Sequence, residues 1–351
     1  MNSHIVRRTW RKPRAIDLFA GCGGLTLGLK QAAFKVVAAV EMDARAAATY
    51  RLNHKSTRLI NSDIRDVSVK DLMKFTGMRT GDLDLLAGCP PCQGFSRLAR
   101  RNGRLKRDPR NRLVKDFERF VKGMLPKTVL LENVPALVRS SFFKSLTHTL
   151  RRLGYAVSWG VLNGADFGLP QRRRRLILIG SRVGAINLPK GTEGFSNVRD
   201  VIGKLPNPMD SSDPIHALFM RNSEKIRKRI AKIHKNGGSR RDAGLSNQLK
   251  CHQKCDGFRD VYGRMRWDKV APTITSGCFN PSKGRFLHPS QNRAISIREA
   301  SLLQSFPADY KLPARFGITA LAKLIGDALP PLFARRQALQ IKTALDSAKN
   351  G

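Results

Sequence analysis

Short apolar runs alternate with helical patterns along the first half of the chain, and this alternation restricts the fold more than any other feature. The runs that predict strands cover residues 15–19, 35–40, 83–87, 128–131, 157–162 and 176–179. The intervening segments that predict helices cover residues 25–33, 44–53, 114–122 and 142–153. Strands that alternate with helices are typical of a doubly wound α/β fold, with a mostly parallel sheet covered by helices on both faces.

The pattern changes after Ser181, where Gly, Pro, Asn and Ser become frequent and long periodic segments become rare. Helical patterns return in three segments, residues 297–304, 319–325 and 332–348. We therefore predict a larger catalytic domain, formed by residues 1–180 together with 291–351. Residues 181–290 would form a smaller, irregular domain.

The smaller domain contains one clear amphipathic segment, residues 223–235. Ile226, Ile230 and Ile233 form an apolar stripe at helical spacing, and basic residues occupy the other faces. Such a helix either lies with its basic faces in water or contacts phosphates, and the sequence alone does not choose between the two.

Charge is the second constraint on function. Lys and Arg number 65 and Asp and Glu 26, which gives a formal net charge of +39. A surface this basic favours a nucleic-acid partner, although a structural role like that of a ribosomal protein has the same composition. Hydrophobic residues make up 41% of the chain, which is too many for a disordered basic tail. No run approaches 18 apolar residues, so we expect no membrane span.

The start of the chain, residues 1–14, is basic and lacks the apolar stretch of a signal peptide. Of a transit peptide and an arm that is solvated or touches DNA, we favour the arm. Without a secretion signal, the six cysteines are expected to remain thiols, so their role is reactivity or metal binding rather than disulfide bonding.

A glycine turn and two acidic residues indicate a cofactor site. Gly21-Cys22-Gly23-Gly24 follows the first predicted strand, and Thr26 breaks the spacing of a dinucleotide-binding turn. Glu41 ends the second strand, where a carboxylate can accept from both hydroxyls of a ribose. Asp63 follows another strand-like stretch and could accept from an adenine amino group. A ribose and an adenine without a pyrophosphate turn fit an adenosyl ligand.

The strongest motif is Gly88-Cys89-Pro90-Pro91-Cys92-Gln93-Gly94-Phe95-Ser96. Two prolines fix the backbone before Cys92 at the end of a predicted strand, which suits a nucleophilic thiol. Residues 97–112 are rich in arginine, and positive charge lowers the pKa of a nearby thiol. The same segment contains Gly103 and could act as a mobile lid.

These motifs resemble those of the DNA (cytosine-5-)-methyltransferases, specifically the bacterial enzymes with a single target-recognition domain. The matching segments occur in the family's order from about residue 14 to about residue 335. They are Asp17-Leu18-Phe19-Ala20-Gly21, Glu41-Met42, Asp63-Ile64, Pro90-Pro91-Cys92-Gln93, Glu132-Asn133-Val134, Gln171-Arg172-Arg173-Arg174-Arg175, Ala271-Pro272-Thr273-Ile274-Thr275, Arg298-Glu299-Ala300, Gln304-Ser305-Phe306-Pro307 and Gly326-Asp327-Ala328-Leu329-Pro330. The resemblance implies a Rossmann-like class I methyltransferase fold, with residues 181–290 as the target-recognition domain.

The resemblance also implies the roles of individual residues. Cys92 would add to carbon 6 of an extruded cytosine, Glu132 would neutralise the ring at nitrogen 3, and Arg173 and Arg175 would hold the base and the catalytic groups. The cofactor implied is S-adenosyl-L-methionine, and no metal is expected. Its predicted contacts are Phe19, Gly21, Cys22, Gly23, Gly24, Glu41, Met42, Asp63, Ile64, Pro90, Leu113 and Asp327.

One position departs from the family's pattern. The last motif usually reads Gly-Asn-x-Val-Pro, and this chain has Asp327 in place of the amide. An amide donates and accepts hydrogen bonds, whereas a carboxylate only accepts. We expect an altered site that remains active.

The residues that would recognise a particular DNA sequence are harder to predict. Arg240, Arg241, Asn247 and Gln248 are candidates for base-edge contacts, because Arg reads guanine and Asn or Gln reads adenine. Cys251-His252-x-x-Cys255 has the spacing of half a zinc site, but no second pair completes four ligands.

The favoured function is therefore methylation of carbon 5 of cytosine in a specific short sequence of duplex DNA. The alternatives are an RNA cytosine-5 methyltransferase of the same fold and a non-catalytic basic DNA-binding protein. We expect a cytoplasmic, nucleoid-associated monomer. A cognate restriction endonuclease would be a functional rather than a physical partner.

Overall fold

The computed structural model describes residues 11–91, 112–191, 194, 196–248, 253, 257 and 260–350. The predicted nucleophile Cys92, the arginine-rich residues 97–111 and the cysteine pair Cys251 and Cys255 lie outside the described residues.

The core of the fold is a seven-stranded sheet in the order β3-β2-β1-β4-β5-β7-β6. The strands are β1 (Arg14–Leu18), β2 (Lys35–Val40), β3 (Arg58–Ile60), β4 (Leu85–Gly88), β5 (Thr128–Asn133), β6 (Ala156–Asn163) and β7 (Arg174–Ser181). Strand β7 runs antiparallel to both β5 and β6, and the other described pairs are parallel. The predicted doubly wound, mostly parallel α/β fold is confirmed.

Helices connect and cover these strands. The described α-helices are α1 (Gly24–Gln31), α2 (Ala44–Asn53), α3 (Val69–Thr76), α4 (Leu113–Met124), α5 (Ser141–Arg152), α6 (Val198–Ile202), α7 (Glu224–Ala231), α8 (Ile297–Leu303), α9 (Gly317–Asp327) and α10 (Pro331–Asn350). Local chemistry sets several of the boundaries. Asp43 caps α2 by accepting from the backbone N–H groups of Arg45 and Ala46, each at 2.9 Å. The structure adds α3 and α6, which the apolar pattern did not predict.

Alternating side chains send the two faces of the sheet into two different cores. Val129 and Leu131 of β5 pack with Phe117 and Phe120 of α4, together with residues of α3 and α5. Leu130, between them in sequence, packs on the opposite face with residues of α1 and α10. Period-two alternation along a strand buried on both faces produces this division.

A third apolar cluster joins the predicted small domain to the C-terminal part of the chain. It contains Val198, Ile215 and Phe286 together with Ile297 and Leu321. These side chains come from both sides of residue 290 and share one core. The division of the chain into domains at residues 181 and 290 therefore stays a prediction. Within the region, Ile230 of α7 and Ile233, two residues after its end, are buried against Tyr262 and Leu287, as the apolar stripe indicated.

One helical stretch, Ala314–Lys349, is long and apolar enough to cross a membrane by length and composition alone. It comprises α9 and α10, which are separated by Ala328-Leu329-Pro330. Phe333 and Ile341 of α10 are fully buried against the sheet, so this stretch serves as core helices.

An acidic side chain is buried inside the central sheet. Asp17 of β1 is 0% exposed, and its Oδ2 accepts a 2.7 Å hydrogen bond from the hydroxyl of Thr26. Thr26 in turn contacts the hydroxyl of Tyr50 at 2.8 Å. Among the described residues, Oδ1 of Asp17 has no hydrogen-bond partner. Burial therefore raises the pKa of Asp17 from 3.8 to about 7.

This shift predicts a pH-dependent stability. The folded chain holds the Asp17 proton more tightly than the unfolded chain, so the stabilising contribution is complete below about pH 4 and is lost as the pH rises through about 7. Relative to Asp17→Asn, the wild type should lose roughly 2–3 kcal/mol of unfolding free energy between about pH 5 and pH 8. Urea denaturation of both proteins measures this difference. The exposed control Asp309→Asn should follow the wild type, and parallel pH profiles for Asp17→Asn and wild type would contradict the assignment.

Candidate active site

The predicted site residues meet at the carboxyl edge of the sheet, where chain order reverses between β1 and β4. Ligands of open α/β sheets bind at such a switch point. A cavity of about 370 Å³ opens there, within the usual size range of ligand sites. The predicted residues in its wall are Phe19, Gly21, Cys22, Gly24, Glu41, Met42, Asp63, Ile64, Pro90, Leu113, Glu132, Arg173, Arg175 and Asp327. Gly23 lies behind this wall.

The glycine turn and Glu41 hold each other in place. The N–H of Gly21 donates to Oε2 of Glu41 at 2.7 Å, and the N–H of Asp43 donates to Oε1 at 2.7 Å. Gly21 has φ 56°, and a Cβ there would meet open space, so a ligand can approach this backbone closely. A Cβ on Gly24 would lie 2.2 Å from the carbonyl oxygen of Leu329, so the turn packs directly against the last motif.

Burial raises the pKa of Glu41, and the hydrogen bonds from Asp43 and Gly21 partly offset that rise. Each oxygen of an ionised carboxylate has two acceptor sites, so both remain able to accept from a ligand hydroxyl.

An exposed apolar side chain lies beside this carboxylate. Met42 is 61% exposed, although it is large and hydrophobic. The side-chain amide of Asn61 donates to the carbonyl oxygens of Glu41 at 2.8 Å and of Met42 at 3.2 Å, which fixes this loop. Sequence reasoning missed Asn61, because its role depends on a loop geometry that no spacing reveals.

Asp63 reaches the cavity while it is paired with a neighbouring arginine. Its Oδ1 accepts from the backbone N–H and Nε of Arg65 at 2.9 and 3.0 Å, and its Oδ2 accepts from Nη2 at 2.5 Å. The hydrogen bond from the Arg65 side chain lowers the pKa of Asp63. Asp63 therefore faces the cavity as a carboxylate that can only accept hydrogen bonds, and Arg65 was another residue that sequence reasoning missed.

The antiparallel direction of β7 brings the two predicted catalytic groups together. Glu132 stands opposite Ile177 in the β5–β7 register, so the start of β7 lies at the same edge as the end of β5. Oε1 of Glu132 and Nε of Arg175 form an ion pair in which the two atoms are 2.8 Å apart. Glu132 is 8% exposed, so this ion pair is largely shielded from water. The pair presents a fixed acid and a fixed cation to one cavity.

The residues next to this pair are also fixed. The side-chain amide of Asn133 donates to the carbonyl oxygen of Pro90 at 2.9 Å, which ties β5 to the proline segment that precedes Cys92. Burial raises the pKa of the Cys89 thiol, and the negative charge of Glu132 raises it further. A raised pKa favours the neutral thiol of Cys89, which is a poorer nucleophile than a thiolate.

Arg173 acts on the backbone of the surrounding loops. It is 2% exposed and donates to the carbonyl oxygens of Ile274 at 3.1 Å, Gly326 at 3.2 Å and Ala328 at 2.9 Å. Burial, followed by the neighbouring charge of Arg175, lowers the pKa of Arg173 to about 9. These bonds give Arg173 a positioning role, because they hold the two residues that flank Asp327.

The unusual Asp327 has a cationic partner. Nζ of Lys323, one turn earlier in α9, donates to Oδ2 of Asp327 at 2.7 Å. Both side chains line the cavity. The i,i+4 spacing on a predicted helix was the sequence signal that could have found Lys323.

The candidates for base-edge contacts have different surroundings. Arg240 is 4% exposed and donates to the carbonyl oxygen of Gly257 at 2.8 Å, so it supports the interior of its region instead of reaching a base. Asn247 bonds the carbonyl oxygen of Ala243 and the ammonium of Lys232. Arg241 is exposed.

The sheet order 3-2-1-4-5-7-6, with a glycine turn and a buried carboxylate at the switch point, is that of the class I methyltransferase fold. The family model for C-5 cytosine-specific DNA methylases matches residues 14–343. The chain therefore belongs to this family and is a DNA cytosine-5 methyltransferase.

Relatives and solved structures agree with this assignment. The chain is 36% identical to the Type II methylase M.HgiDII of Herpetosiphon aurantiacus, over 94% of this chain and 95% of the relative. It is 34% identical to the Type II methyltransferase M1.HphI of Haemophilus parahaemolyticus, over 91% and 84% of the two chains. A DNA modification methyltransferase encoded in an Escherichia coli prophage has the same fold, with a TM-score of 0.72 at 21% identity, covering 95% of this chain and 100% of that one.

The contacts of Arg173 predict that its replacement lowers the free energy of unfolding, whereas replacement of either neighbouring arginine does not. Arg173→Met leaves three carbonyl groups without their donor, so we expect a loss of about 2–4 kcal/mol of unfolding free energy in urea denaturation. The adjacent side chains of Arg172 and Arg174 are exposed. The controls Arg172→Met and Arg174→Met should therefore keep wild-type stability within about 0.5 kcal/mol. Equal stability of all three variants would show that the buried guanidinium does not support these loops.

Proposed function

We propose that this DNA cytosine-5 methyltransferase binds S-adenosylmethionine in the cavity at the switch point. Glu41 would accept from the ribose hydroxyls, Asp63 from the adenine amino group, and Met42 and Ile64 would cover the adenine ring. The arrangement of the Gly21 N–H on Glu41, beside an exposed Met42, supports this assignment. When bound, S-adenosylmethionine supplies a methyl group activated by a sulfonium centre.

The chain's own residues would prepare cytosine for this methyl group. The Cys92 thiolate forms a bond to carbon 6, and the electron pair displaced from the 5,6 double bond makes carbon 5 nucleophilic. Glu132 in its protonated form would give its proton to ring nitrogen 3 as charge develops on the ring, and would take it back when the ring is restored. Arg175 holds Glu132 in place through the 2.8 Å contact. After methyl transfer, water takes the proton from carbon 5, the electron pair of that carbon–hydrogen bond restores the 5,6 double bond, and the carbon–sulfur bond breaks to release the Cys92 thiolate.

The single observation that carries this mechanism is the pairing of Glu132 and Arg175 in the same cavity wall as Gly21 and Glu41. It puts the groups that would act on the base next to those that would hold the methyl donor. The carbon to be methylated is stacked inside duplex DNA, so the target base has to leave the helix, as is general for enzymes that modify bases. Residues 97–112 would grip the flanking phosphates during this step.

Sequence choice is assigned to residues 181–290 as a single target-recognition domain. The relatives described above are named as Type II methylases, and we propose that this chain also serves a restriction–modification system in the bacterial cytoplasm. It would act on DNA as a monomer, with a cognate endonuclease that reads the same sequence without binding to it.

The choice of polymer is tested by methyl incorporation. With tritiated S-adenosylmethionine, the purified chain should label duplex DNA at cytosine carbon 5, and base-resolution mapping should show one short recognition sequence. Total RNA supplied at equal mass should remain unlabelled. Label in RNA alone would establish the RNA alternative, and binding of DNA without label in either polymer would establish the non-catalytic one.

The covalent step is tested with a target that cannot complete the reaction. 5-Fluorocytosine has no proton to lose at carbon 5, so it should remain bonded to Cys92 after methyl transfer. Mass spectrometry of the denatured complex should find the adduct on the peptide that contains Cys92. Cys92→Ala should form no adduct and lose methyl transfer while it still binds duplex DNA, and Cys89→Ala is the matched control that keeps the adduct. Near-normal turnover by Cys92→Ala would discard this mechanism.

A further inference from the structure

The glycine turn Gly21-Cys22-Gly23-Gly24, called the cofactor turn below, is held on the side away from the cavity by two side chains from distant parts of the chain. Tyr310, which follows α8, donates its hydroxyl hydrogen to the carbonyl oxygen of Cys22. His54, the C-cap residue that follows α2, places Nε2 at 3.2 Å from the carbonyl oxygen of Gly23 and at 3.1 Å from the hydroxyl oxygen of Tyr310. His54 is 2% exposed, so these contacts are shielded from water.

Donor and acceptor counts fix the tautomer of His54. The carbonyl of Gly23 only accepts, and the hydroxyl of Tyr310 has already given its hydrogen to Cys22, so Nε2 has to carry a hydrogen. The opposite nitrogen, Nδ1, lies 3.5 Å from Nζ of Lys30, and an ammonium only donates. Nδ1 therefore has to be the acceptor, and the ring is the neutral Nε2–H form.

The turn and the ring are packed against each other without spare room. A Cβ on Gly23 would lie 2.3 Å from Nε2 of His54 and 2.8 Å from the hydroxyl oxygen of Tyr310. Gly23 also has φ 98°, which a residue with a side chain rarely adopts. The ring of Tyr50 covers the other side of His54, with centroids 4.6 Å apart. The shape of the turn thus depends on where this ring sits.

We propose that His54 is a positioning residue for the cofactor turn and that Lys30 fixes its Nε2–H tautomer. The idea rests on the proposed function, in which this turn holds S-adenosylmethionine. Glu41 fixes the turn through Gly21 on the cavity side, while His54 and Tyr310 fix it from behind.

The charges around the ring agree with a permanently neutral histidine. The groups that face it are Lys30 from α1, Tyr50 from α2 and Tyr310. Burial, followed by the charge of Lys30, lowers the pKa of His54 to about 4. The ring therefore keeps its single hydrogen on Nε2 throughout the physiological pH range.

The tautomer is measured directly on the wild-type chain by NMR with ¹⁵N-labelled histidine. The His54 signals, identified by their loss in His54→Gln, should show the Nε2–H form without titration between about pH 5.5 and pH 8. In Lys30→Met the same signals should move towards a mixture of the two tautomers, whereas the exposed control Lys144→Met should leave them unchanged. An Nδ1–H form in the wild type, or titration in this range, would overturn the assignment.

Cofactor affinity tests the positioning role. Calorimetry with S-adenosylhomocysteine should show a Kd raised roughly five- to tenfold in His54→Leu, which loses the donor on Gly23. His54→Gln keeps an N–H donor and a separate acceptor in one side chain, so it should stay within about twofold of wild type. His148→Gln, on the exposed surface of α5, is the matched control. With DNA, His54→Leu should raise KM for S-adenosylmethionine and change kcat little, since Cys92 and Glu132 are untouched.

The two hypotheses fail in different ways. If the wild type binds no S-adenosylhomocysteine, the proposed cofactor is wrong, while the tautomer measured by NMR is unaffected. If the wild type binds it and His54→Leu binds it equally well, the positioning role is wrong and the proposed cofactor stands. If His54→Leu does not fold, His54→Gln is compared with Tyr310→Phe, which loses the hydrogen bond to the carbonyl oxygen of Cys22. If these two variants bind S-adenosylhomocysteine equally weakly, the N–H donor that His54→Gln keeps has no effect, and the positioning role is wrong.

Discussion

The direction of one strand decides whether this sheet has an active site. Parallel strands bring their carboxyl ends to one edge, and there β1, β2 and β4 deliver the glycine turn, Glu41 and Pro90. A parallel β7 would have carried its arginines to the opposite edge. Because β7 is antiparallel, its first residues reach the end of β5, and Arg175 pairs with Glu132. The antiparallel pairing therefore brings the Glu132–Arg175 pair to the edge that carries the glycine turn and Glu41.

Buried polar groups then fix the loops at that edge, and each acts through the backbone. Arg173 binds the carbonyl oxygens on both sides of Asp327, and Glu41 accepts from the N–H of Gly21. Burying such groups is costly unless they are hydrogen-bonded, so their bonds define a single arrangement of the loops. Loops that carry a site are otherwise the most mobile parts of a fold. The described loops at this edge are therefore held by buried hydrogen bonds to their backbone.

The sequence predicted the individual strands and helices more accurately than the directions of the strands and the contacts between side chains. Period-two and period-3.6 patterns depend on burial alone, so the strands at 35–40 and the helix at 44–53 were predicted with their observed limits. An apolar run carries no sign of strand direction, so the antiparallel course of β7 and the contact of Arg175 with Glu132 could not be derived from it. Likewise, Arg240 looked like a base-reading side chain, but tertiary packing buries it.

The same reasoning explains how the site can accommodate Asp327. A carboxylate in place of an amide removes a hydrogen-bond donor, and position 327 alone suggested a loss of contacts. The ammonium of Lys323 lies 2.7 Å from that carboxylate, and both groups line the cavity. The pair presents acceptors on Asp327 and donors on Lys323, which are the two functions that one amide combines. The missing donor therefore has a counterpart one helical turn away, which a comparison of single positions does not detect.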